Sequence, residues 1–140
     1  MTYCTQDDIE KQIPEQTLVD LTDDDGVDAV DEDIVARAIA DADEEIDSFV
    51  SVAYSLPLAS TPGLVRRMSV DLAIGNLYAH RPHLEIPETL KDRIKATRQA
   101  LDKLALGKIK LDVPDPASAV SAVDIDFNDR IFTRDKMDGF

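Results

Sequence analysis

The chain has 140 residues, 44% of them apolar but only 5% aromatic, with no tryptophan. That length supports one hydrophobic core built mostly of Ala, Leu, Ile and Val, a composition suited to packed helices. A net charge of −14 and a single cysteine, Cys4, exclude an intrachain disulfide and argue against tight binding of nucleic-acid phosphates.

The charge is unevenly spread. Residues 1–50 carry 17 acidic and 2 basic residues, residues 51–111 carry 5 and 10, and residues 112–140 carry 7 and 3. An acidic region of one copy could thus meet a basic region of the next, although both also serve as solvated faces. The opening "MTYCTQDDIEKQI" has neither a basic start nor an apolar run, so no signal peptide is expected. No apolar stretch approaches the roughly 18 residues that span a bilayer. The expectation is a soluble protein made inside the cell, without a membrane partner.

In chain order, Thr5 reads as an N-cap with Asp7 and Asp8 in an acidic first turn, and Ile9 and Ile13 share a face until Pro14 stops the helix. A short helical turn, "EQTLVDL", follows. The segment "DLTDDDGVDAVDEDIV" then places eight acidic residues around Gly26. From Asp31 the periodicity is regular: Val35, Ala38, Ile39, Ala42, Ile46, Phe49, Val50 and Ala53 form one apolar stripe. Asp33, Arg37, Asp41, Glu44, Glu45 and Ser48 occupy the opposite face. Pro57 and Pro62 forbid continuation of this helix.

Pro62 is placed to be the first residue of a second long helix, "GLVRRMSVDLAIGNLYAH". Its apolar residues cover more than one face, which predicts burial between neighbours, and Gly75 suits close packing there. A third long helix follows Pro87, with Leu90, Ile94, Leu101 and Leu104 inward. Lys91, Arg93, Lys95, Arg98 and Lys103 face outward, and Gly107 stops the helix. Beyond Lys108 the helical stripe is lost, and alternation in "KIKLDV" and "AVDIDF" gives strand character. The fold expected is mainly α: a small bundle of three long helices plus short N-terminal helices over residues 1–108, with an extended C-terminal arm over residues 109–140. Fully extended, an arm of about 30 residues reaches roughly 90–100 Å. Ile131, Phe132, Met137 and Phe140 are costly to leave in water, so they are expected to dock on something.

The acidic segment invites comparison with a calcium loop, which needs oxygen ligands at positions 1, 3, 5 and 12 and glycine at 6. With Gly26 at 6, Asp23, Asp25 and Glu32 fall at 3, 5 and 12, but Leu21 occupies position 1 and Asp28 the usually apolar position 8. Asp23, Asp25 and Glu32 are therefore weak candidate ligands. An acidic turn before a helix capped by Asp31 fits better, with Glu32 and Asp33 at the positive end of the helix dipole. His80 and His83 in "AHRPH" have no further Cys or His to complete a zinc set and read as exposed loop residues. Cys4 has no base near it in sequence, and neither phosphate-loop glycines nor a nucleophile elbow is present. No catalytic residue and no cofactor is expected.

Five segments in order, "QTLVDLTDDDG", "VARAIADADEEIDSFV", "YSLPL", "TPGLVRRMSVDLA" and "RIFTRDKMDGF", resemble the small Mu-like prophage proteins regarded as head–tail connectors, or adaptors. The resemblance covers nearly all of the chain, but departs at the acidic turn, where family members often carry an additional Asp-Gly. It implies a structural protein of the virion neck that forms a ring, expected to have 12 copies, beneath the portal. Such a ring extends the DNA channel, through which DNA passes without specific binding, and offers a platform to a further neck or tail-completion protein. Under it, residues 1–108 are the adaptor domain and Arg130, Ile131, Phe132, Met137 and Phe140 dock the arm onto the portal. Asp41, Glu44 and Glu45 on one copy would face Arg93 and Arg98 on the next. Alternatives of another class are an acidic calcium-responsive binding module and a DNA mimic.

Overall fold

The computed structural model describes residues 2–113. Among these, five helices and no strand are present: α1 (Gln6–Glu10), α2 (Glu15–Thr22), α3 (Glu32–Ala53), α4 (Gly63–His80) and α5 (Glu88–Ala105). The helical bundle expected from periodicity is what forms. Residues 114–140, with the proposed docking residues and the "AVDIDF" alternation, lie outside the described residues.

The helix starts follow local chemistry. Thr5 and Asp8 form a reciprocal capping box, Thr5 N–H donating to Asp8 Oδ2 at 3.0 Å. Asp31 caps α3 by accepting from the N–H groups of Asp33 and Ile34 at 3.0 and 3.3 Å. The other three helices all start behind proline: Pro14, Pro62 and Pro87 are N-cap residues with φ of −61°, −64° and −57°. Pro62 thus lies one residue earlier than expected, outside α4. α5 ends in a Schellman motif, in which Gly107 at φ +79° lets Lys108 N–H reach the Lys103 carbonyl at 2.8 Å.

α3, α4 and α5 alternate in direction. Asn76 on α4 donates to the carbonyl of Ala38, while Ser69 donates to Asp43, which sets α3 and α4 antiparallel. Thr97 donating to Asp71 and Ile94 lying against Gly75 do the same for α4 and α5. α4 is the central helix, with Val65, Met68, Val70, Leu72, Ala73, Ile74, Leu77 and Tyr78 all buried. A Cβ on Gly75 would stand 3.0 Å from Ile94 Cδ1, so glycine does permit a close approach here. In α3 the stripe is buried from Val35 to Val50 except Phe49, which is half-buried, and Ala53 is exposed as the helix runs past the core.

The bundle accordingly has two unlike ends. One carries the loop from Asp23 to Asp31, the start of α3 and the end of α4. The other carries the end of α3, the start of α4 and the end of α5, and the described chain finishes there. "KIKLDV" makes no strand, and among the described residues there is none for it to pair with. Instead Leu111 packs into the core and its N–H donates to Tyr54 Oη at 2.8 Å.

Candidate functional site

The loop end concentrates acid on a constrained backbone. Asp23 caps its own loop by accepting from Val27 N–H at 2.9 Å and Asp28 N–H at 2.8 Å, and these backbone donors hold its carboxyl below the usual carboxylate range. The base of the loop is closed by Thr22, whose hydroxyl donates to the Leu18 carbonyl and accepts from Asp31 N–H. Arg81 donates to the Asp23 carbonyl at 2.6 Å and pairs with Asp24 at 2.8 Å. His80 Nε2 lies 3.0 Å from Asp24 and, with Arg81, keeps that carboxyl low. His80 is the last residue of α4 rather than a loop residue, while His83 lies in the turn beyond and both are exposed. With Gly26 and Asp28 at positive φ, the turn presents Val27, 69% exposed, at its tip.

This geometry places the calcium candidates differently from a ligand shell. Both oxygens of Asp23 already accept backbone protons, Leu21 is fully buried on α2, and Glu32 is in the first turn of α3. Asp25, Asp31 and Glu32 line the same open depression, but among the described residues no group of three or more His, Cys, Asp or Glu side chains is set to hold a metal ion.

The proposed inter-subunit residues divide into two groups. Asp41 and Glu44 are exposed on α3. Glu45, however, pairs within the chain with Arg98, Nε to Oε2 at 2.9 Å, and Arg93 bonds the buried Asp71. Part of the acid–base complementarity between the two halves of the sequence is therefore realised between α3 and α5 of one copy. The exposed basic residues without an ion pair among the described residues include Arg66, Arg67, Lys95 and Lys103.

Two buried polar clusters escaped the sequence pattern. Asp43 sits on the apolar face of α3, accepting from Tyr3 N–H at 3.1 Å and the Ser69 hydroxyl at 2.7 Å, while Tyr3 Oη bonds Asp47. Burial raises the Asp43 carboxyl and the Tyr3 phenol, and pushes the Cys4 thiol up to about 11. Cys4, buried beside Ser69, is thus held in its protonated form within the core. Asp71 on α4 accepts from Arg93 and from Thr97. Asp43 falls at i+4 from Ile39 and Asp71 among Val70 and Leu72, so acid on an otherwise apolar face was the available signal.

Between α4 and α5 runs a groove of about 450 Å³ lined by Leu64, Arg67, Met68, Asp71, Arg93, Ala96, Thr97 and Ala100. Its floor is mostly apolar, its charged rim is arginine, and the one carboxylate in it is bonded to Arg93.

By fold this is a small, mainly helical protein with strongly charged surfaces. Over residues 3–126 the chain matches the family described as Bacteriophage Mu, Gp36, and it belongs to that family of Mu-like phage proteins. It is also 30% identical over 103 residues to "Gene product J" of Escherichia phage Mu, a match covering 73% of each chain.

Proposed function

We propose that this phage protein is a structural head–tail connector, an adaptor that forms a ring under the portal at the virion neck and is not an enzyme. The observation that carries the reading is family membership joined to an axially polar bundle, with exposed acid at the loop end and Arg66, Arg67 and Lys103 toward the other. Unlike ends suit heterologous contacts, the kind that close rings. The ring would carry 12 copies, as the resemblance implies, extend the DNA channel without gripping DNA, and seat the next neck or tail component. Its net negative charge repels phosphate and favours passage.

In this reading the C-terminal arm leaves the bundle beyond Leu111, which stays in the core, and reaches the portal with Arg130, Ile131, Phe132, Met137 and Phe140 as the anchoring side chains. Mixing the full chain with portal protein should give a ring on the portal by negative-stain microscopy, and removal of residues 128–140 should abolish it. Unchanged incorporation of the shortened chain into particles would sink the arm assignment. The calcium-responsive reading is disfavoured by the occupied Asp23 oxygens, and absence of heat at millimolar calcium in titration calorimetry removes it.

A further inference from the structure

We infer that the groove between α4 and α5 receives the acidic loop of a second copy, with Val27 as the apolar tip that enters it. The inference rests on the connector reading for the setting in which copies meet, and adds the surfaces through which they do so.

The two surfaces complement each other in shape and charge. The groove offers Leu64, Met68, Ala96 and Ala100 as an apolar floor, with Arg67 on its rim free of any ion pair among the described residues. Asp71 would repel an incoming acidic segment, but its carboxylate is buried and bonded to Arg93 and Thr97, so the groove presents arginine outward. The loop offers the reverse pattern, an exposed valine between Asp25 and Asp28. An apolar tip between two acids matches an apolar floor beside arginine.

Backbone order supports the same assignment. An exposed valine on a slack loop would lose much of its binding gain to ordering, but Asp23, Thr22 and Arg81 already hold this turn in one form. Loop and groove do not coincide on one molecule: the loop caps one end, and the groove lies along α4 and α5 between Leu64 and Asp71, toward the other. One copy therefore offers both halves of the contact to different neighbours. Such a contact is heterologous, as a ring or a filament requires. It is small, so a trapping experiment suits it better than a measurement of size at equilibrium.

The test uses two full-length single-site variants, Val27→Cys and Ala96→Cys, with tags of different size; native Cys4 is buried and does not compete. Mixed in equal amounts at high concentration under mild oxidation, they should give a mixed disulfide dimer well above the roughly twofold excess over each homodimer that random pairing gives. Arg67→Glu in the Ala96→Cys partner should lower its yield by roughly tenfold. High salt should act in the same direction. A random 1:2:1 distribution of the three dimers, or a mixed yield indifferent to Arg67→Glu, overturns the assignment, as would masking of Ala96 by residues 114–140 of the same chain. Particles carrying both cysteines separate this from the connector reading: protein present in the neck without the cross-link refutes only the interface. Protein absent from particles refutes the connector role, while the purified mixture still decides the interface.

Discussion

Asp43→Ala should destabilise the folded chain by about 2 kcal/mol. The substitution leaves the buried N–H of Tyr3 without its acceptor, at a cost of about 1–3 kcal/mol. The Ser69 hydroxyl has an alternative in Cys4 Sγ, 3.1 Å away, so its share is small. Removing a desolvated carboxylate offsets part of the loss, and the cavity left by its atoms adds to it. In thermal melts followed by helix ellipticity, about 2 kcal/mol corresponds to a drop of roughly 6–10 °C for a chain of this size. The pH dependence provides a second check. Burial raises the Asp43 carboxyl above its ordinary 3.8, so between those values the folded state binds more protons than the unfolded state. Stability from this group is then fully present below about 3.8 and is lost as pH rises through the raised value. Asp43→Asn, which cannot titrate, should therefore lose ground to the wild type as pH falls through that window. A stability from urea unfolding for Asp43→Ala within about 0.5 kcal/mol of wild type, or a pH-independent gap for Asp43→Asn, would refute the account of this cluster.

Three further outcomes follow from the same geometry. Asp71→Ala should cost about 2–3 kcal/mol because it strands the buried Thr97 hydroxyl and removes the acceptor of Arg93, whereas Arg98→Ala, at a largely exposed pair with Glu45, should cost less than about 0.5 kcal/mol; chemical denaturation of the two variants gives the contrast. Gly107→Ala should cost about 1 kcal/mol through the left-handed residue that closes α5, measured the same way. Asp23→Ala should speed hydrogen exchange at Val27 and Asp28, and in the wild type that protection should persist above the ordinary carboxylate pKa and vanish as pH falls through the depressed value of Asp23.

The helices were legible because their signals are local. Thr5, Asp31 and Gly107 mark boundaries by short-range capping, and the three- and four-residue spacing from Val35 to Val50 marks the buried face of α3. What sequence could not supply was partnership. The charges of Glu45 and Arg98 suggest attraction, but only the alternating directions of α3, α4 and α5 show that the pair closes within one copy. Asp43 and Asp71 look like surface acid until their donors, 40 and 22 residues away in the chain, are brought to them. The sequence marks the loop as an acidic turn into a capped helix, yet its closure depends on Arg81, which periodicity assigns to a different element. The groove between α4 and α5 exists only once those helices pack.

Electron microscopy of phage particles assembled without this chain tests the central claim most directly. A connector at the neck predicts DNA-filled heads and separate tails, rejoined when the full-length protein is restored. Tailed, infectious particles formed in its absence would contradict it.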